Sequence, residues 1–192
     1  MPAYVFSMPP PPTRGVAVTA LLVALGCGGF AVVNVVFEIT DHFAAGRYAD
    51  YAGAFTVMNW LVTGLKVLGA VVALLSLAAE PRIVSKAMLT VLLWGGFGTL
   101  SVYTLGSLGQ AIGMMLGLAG SVDQIDLAGV GYVLFFAAVS VGYGILAVSY
   151  SRRHRIRRGL AVVGVLGAPL VLVLVLVAVP ALLSALGLMP SP

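Results

Sequence analysis

The chain has 192 residues, of which 61% are hydrophobic and 8% charged, and its formal charge is +4. A water-soluble domain carries roughly 25% charged residues, so this composition excludes a folded core wrapped in a water-facing surface. A single cysteine, Cys27, excludes an intramolecular disulfide and any CxxC redox or zinc motif.

The expected fold class is all-α: an integral membrane helical bundle with five transmembrane helices. About 20 apolar residues cross the hydrocarbon layer as a helix, and five segments meet that length, at about 16–36, 56–78, 87–119, 127–149 and 160–186. Residues 1–14 form a Pro-rich tail, 15–187 the five-span domain, and 188–192 a second tail. "MPPPP" before Arg14 cannot enter a helix interior, so the first tail is expected to be flexible and extended.

The first span contains "LVALGC", which resembles a lipidation signal ending at Cys27. Leu25 is bulky for such a signal, Ala24 stands where leucine is usual, and apolar sequence continues to Val36. Cys27 is therefore read as a small residue inside the span. Cys27, Ala31, Asn34 and Glu38 fall on one helical face.

The loop "EITDHFAAGRYADY" follows. It offers one histidine, His42, and carboxylates at no zinc spacing, so no metal site is expected. Its aromatics, Phe43, Tyr48 and Tyr51, suit the headgroup level.

The second span, "NWLVTGLKVLGAVVALL", carries Lys66 near its middle. A basic residue there costs about 2.5–3.5 kcal/mol on insertion scales and normally faces the bundle interior. Asn59, Thr63, Lys66 and Ala70 share a face, which Gly69 and Ala73 continue with small residues. The first two spans are sequential and antiparallel. Lys66 leans towards the start of its helix, which brings its ammonium level with Asn34 and within reach of Glu38. Two roles fit: a lock between helices, or handling of a proton, ion or ligand.

The third segment, 87–119, is longer than one perpendicular span needs and is expected to tilt, kink or protrude. Thr99, Tyr103, Gly106 and Gln110 share a face on it. Gly109, Gly113 and Gly117 form GxxxGxxxG, a spacing that lets another helix approach closely. The fourth span places Tyr132, Phe136, Ser140 and Tyr143 along a stripe, whose hydroxyls line a cavity or bond between helices. The fifth, with "LVLVLVLVAVPALL", has no polar face, and Pro169 and Pro180 are expected to bend it or weaken its hydrogen bonding.

Five spans put the first tail, the second–third loop and the fourth–fifth loop on one side. That side holds Arg14, Arg82, Lys86, Arg152, Arg153, Arg155, Arg157 and Arg158, against Arg47 alone on the other. The positive-inside rule then sets the N-terminus cytoplasmic and the C-terminus external, in a bacterial inner membrane. The five arginines from Arg152 to Arg158 are candidate contacts for anionic lipid headgroups, besides anchoring the topology.

The chain resembles small multi-pass membrane proteins of actinobacteria in length, span pattern and the Arg-rich final loop, and the resemblance carries no functional residue with it. No HExxH, Walker A or GxSxG motif occurs, and His42 and His154 fall on opposite sides. The expectation is a non-enzymatic accessory or structural membrane component with no cofactor and no nucleic acid, partnered by lipid, by a second copy or by another membrane protein. The alternative is a transporter or channel subunit with a polar pathway through Lys66, Glu38, Asn34 and Gln110.

Overall fold

The computed structural model describes residues 9–45, 49, 51–81, 83–118 and 120–187. The expectations for residues 1–8 of the first tail, for Arg47, Tyr48, Asp50 and Arg82, and for residues 188–192 lie outside that set. All regular structure among the described residues is helical: α1 (Arg14–Ile39), α2 (Ala52–Leu75), α3 (Lys86–Met115), α4 (Leu127–Arg153) and α5 (Arg158–Ala185), with 3-10 turns at His42–Ala44 and Val122–Gln124. All five helices are long and apolar enough to cross a membrane.

Helix starts follow local chemistry. Thr13, Ser85 and Asp126 each stand in extended backbone and accept a hydrogen bond from the third residue on: Val16, Met88 and Gly129. Each satisfies an amide that has no partner within its helix.

The third helix ends at Met115, short of the expected 119, and Gly117 is the reason. Its φ is +69°, a conformation that costs other residues a clash with their own Cβ. The Leu118 amide bonds the Gly113 carbonyl at 2.8 Å and the Gly117 amide bonds the Met114 carbonyl at 3.1 Å. That pair of bonds is a Schellman cap. Gly117 therefore terminates α3 and is not part of a packing face.

The helices lie in the spatial order α2–α1–α4–α3–α5, with α2 and α3 touching only lightly. Fully covered residues gather towards one end. Ala20 and Val23 come from the start of α1, Val72 and Ala73 from the end of α2, Leu89 and Leu93 from the start of α3, and Tyr143 to Tyr150 from the end of α4. Arg153 ties that end together by donating from Nη2 to the Ser76 carbonyl just past α2.

The α3–α5 contact is a glycine seam, but a different one from 109–117. A Cβ added to Gly98 would lie 2.5 Å from the Val165 carbonyl oxygen, and one on Gly95 would lie 2.7 Å from the Ala168 Cβ. Gly164 answers from α5: its Cβ would come 2.7 Å from the Val91 carbonyl oxygen. A Cβ on Gly109 would meet nothing within 4 Å. Pro169 runs inside α5 without ending it. Lacking an N–H, it leaves the Val165 carbonyl without its helical donor, and that is the carbonyl Gly98 faces.

Candidate functional site

The polar side chains of α1 and α2 meet in one cluster. Antiparallel packing sets Asn59, in the second turn of α2, opposite Asn34 and Glu38 near the end of α1. The Asn59 Nδ2 donates to the Asn34 carbonyl at 2.9 Å and to Glu38 Oε1 at 2.7 Å. Two turns further along α2, Lys66 Nζ donates to Asn34 Oδ1 at 2.9 Å. Thr63 turns its hydroxyl back to the Asn59 carbonyl at 2.7 Å. Asn34, Asn59 and Thr63 are buried, and Lys66 and Glu38 are partly covered.

Lys66 and Glu38 do not form an ion pair. Asn59, nearer the start of α2, donates to Glu38 Oε1 instead. Asn34 binds both α2 residues, one through its backbone and one through its side chain, so it is the hub.

The Lys66 ammonium also lies 4.7 Å from the centroid of Phe30, a favourable position over a ring face. Phe30 stacks on Phe135 at 4.6 Å and meets Phe136 and Tyr132 at 5.5 Å. Tyr103 joins this aromatic group edge-on to Phe136 at 4.8 Å. It enters through its ring and has no part in the hydrogen bonds around Lys66. Gln110 is uncovered and makes no hydrogen bond to a described residue, so it stands apart from Lys66, Glu38 and Asn34. It lies in the half of α3 beyond the core, where Leu105, Leu108 and Ile112 are also uncovered.

Below the cluster, the Cys27 thiol lies 3.9 Å from the Tyr143 hydroxyl. Gly69 makes room for that hydroxyl, since a Cβ there would come within 2.6 Å of it. The Ser140 and Ser101 hydroxyls bond each other across α4 and α3 at 2.9 Å. Trp94 Nε1 donates to Ser151 Oγ at 3.1 Å. The Trp94–Ser151 and Ser76–Arg153 pairings have no periodic signature and were not readable from sequence.

The five arginines separate into different settings. Arg152, Arg155, Arg157 and Arg158 are uncovered. Arg155 takes a left-handed turn, with φ +51°, and Arg157 precedes the first turn of α5. Arg153 turns inward, with its guanidinium 5.8 Å from the Tyr150 ring. His154, just past α4, packs on Tyr150 at 4.2 Å between ring centroids. Burial, and then the charges of Arg153 and Lys86, hold its imidazole below the usual value.

In the distal loop, His42 stacks on Phe37 at 4.5 Å and Phe43 on Phe55 at 5.7 Å.

No protein-family model, no curated protein and no solved structure matches this chain.

Proposed function

We propose that the chain is a five-span protein of a bacterial inner membrane, N-terminus cytoplasmic and C-terminus external, acting as a non-catalytic structural or interaction component. The observation that carries the structural part is the run of hydrogen bonds that joins α1 and α2 through the polar cluster. Glu38, Asn59, Asn34 and Lys66 bond one another in sequence, and Phe30 covers the ammonium. Such a cluster fixes the register of two helices by interhelical hydrogen bonding.

The membrane part is supported by the helices' length and apolarity and by large uncovered apolar faces. The orientation is supported by the charge count. Reporter fusions at Ala45, Ser85, Gln124 and Pro192 test it. An external Ser85 together with an internal Gln124 overturns it. Purification in mild detergent then tests the role: a stoichiometric membrane partner or a defined oligomer is the expected result, and a lone monomer with an activity of its own overturns it.

A conducting role is the second reading, favoured by one feature. Lys66 has three donors and one hydrogen-bond partner among the described residues. Proton or ion flux in liposomes that is lost in Lys66→Met, with the fold intact, would replace the structural reading.

A further inference from the structure

Tyr150, Arg153 and His154 form one group at the end of α4. Tyr150 is fully covered. Its ring meets the His154 ring at 4.2 Å and lies 5.8 Å from the Arg153 guanidinium. Arg153 reaches on from there and donates from Nη2 to the Ser76 carbonyl. Ser76 is itself covered, and its hydroxyl holds the Ala73 carbonyl at 2.6 Å. The clasp therefore joins the end of α2 to the end of α4, two helices with little other contact.

The group is enclosed and short of partners. The Tyr150 hydroxyl, the Arg153 Nε and Nη1 and the His154 Nε2 are all covered and make no hydrogen bond among the described residues. A neutral imidazole can leave Nε2 there as a bare acceptor. An imidazolium carries an N–H at both nitrogens. Protonation in place would enclose a charged donor without an acceptor, which is costly, and would set it beside a guanidinium. Among the described residues, the charges acting on His154 are Arg153, Lys86 at the start of α3 and Glu80 in the loop before α3. Glu80 is itself paired with Lys86 at 3.6 Å, so the balance at His154 is repulsive.

We propose that His154 is a proton-operated latch on the clasp between α2 and α4. Neutral, it lies over Tyr150 and keeps water from the Arg153 guanidinium. Protonated, it swings out of its slot into solvent, water reaches Nε and Nη1 of Arg153, and the hold on the Ser76 carbonyl gives way. The hinge is at hand: His154 is the residue that caps α4, and Arg155 after it takes a left-handed turn. The expelled ring titrates at the ordinary value of about 6.5, and the seated ring below it. The latch is therefore shut above about pH 6.5 and opens as the pH falls beneath that value. This goes beyond the structural role proposed above, because it gives one end of the bundle a response to pH, and it holds whichever way the chain lies in a membrane.

The test uses the full chain in detergent. The one native cysteine is removed by Cys27→Ser, and spin labels are placed on cysteines introduced at Ala79 and Val148, both uncovered. Pulsed electron resonance should give one short distance at pH 7.5 and a second, longer one at pH 5.5, reversibly. The ratio of long to short should rise at most about tenfold per pH unit, the limit for a single proton. Helix content by circular dichroism should be the same at both pH values, which separates an opened clasp from general unfolding. His154→Gln, which does not take up the proton, should keep the short distance at both. His154→Arg, charged throughout, should show the long one at both, and if it loses helix content at pH 7.5 the comparison with His154→Gln decides. A single unchanged distance in the parent chain, a shift that survives His154→Gln, or a shift that comes with loss of helix each overturns the latch.

Discussion

Gly98 of α3 faces the backbone carbonyl of Val165 on α5, closely enough that a single added methyl group would lie 2.5 Å from the oxygen. That carbonyl lost its helical donor to Pro169. The close approach suits a weak Cα–H···O contact between the two helices. A glycine on one helix and a proline on its neighbour thus make one joint.

Gly98→Ala is therefore expected to destabilise the bundle by about 1–3 kcal/mol, the usual range for overpacking a tight contact. Gly109→Ala should leave stability within about 0.5 kcal/mol, as substitutions away from such contacts do. Detergent unfolding followed by circular dichroism reads both. Equal tolerance at the two positions would remove the seam.

A double-mutant cycle addresses the polar cluster. Lys66→Met and Asn34→Leu are expected to be non-additive, with a coupling of about 0.6 and at most about 1.7 kcal/mol, as found for interhelical hydrogen bonds in membranes. Lys66→Met and Glu38→Gln should couple less, because Asn59 holds the carboxylate. A larger coupling with Glu38 than with Asn34 would mean that the ion pair exists after all.

His154 gives a pH dependence. Its folded pKa lies below the ordinary 6.5, first through burial and then through Arg153 and Lys86. Protonation therefore favours the unfolded chain. The stability present above about pH 6.5, the ordinary histidine value, should fall as the pH drops through that value towards the lower folded one. His154→Gln should show a flatter midpoint between pH 7.5 and 5.5, measured by unfolding in detergent. A wild-type midpoint that does not move over this interval contradicts the assignment.

Gly117→Ala tests the cap. The left-handed backbone costs a residue with a Cβ roughly 1–2 kcal/mol, so the end of α3 should fray and its amides should exchange faster with solvent. Hydrogen exchange at Leu118 reads this directly, because its amide holds the Gly113 carbonyl.

The five long helices were legible because apolar length is a coarse signal that survives any detail of packing. The meeting of Lys66 with Asn34 was legible too, since helical spacing and antiparallel sequence order set both residues at one level. The partner of Glu38 was not. Choosing between Lys66 and Asn59 turns on which side chain arrives first along α2, a matter of a few ångströms that spacing does not resolve. The α3–α5 glycine seam was not legible for another reason. The third apolar segment holds glycines at 95, 96, 98, 106, 109, 113 and 117, and spacing alone favours 109–117. What selects Gly95 and Gly98 is Gly164 and the Val165 carbonyl on a helix about seventy residues later, and periodicity within α3 carries no trace of them. Gly117 has the right spacing for a contact, but its backbone ends the helix.

The order α2–α1–α4–α3–α5 also has a meaning for synthesis. Chains assemble from the N-terminus as they emerge, and α1 and α2 can close on each other at once. The third helix cannot do the same: α2 gives it little to rest on, and its two real neighbours are the last two helices made. Until α5 arrives, the small-residue notch at Gly95 and Gly98 stands open. A chain interrupted before residue 158 therefore leaves that notch uncovered, because the residues that fill it, Gly164, Val165 and Ala168, all lie on α5.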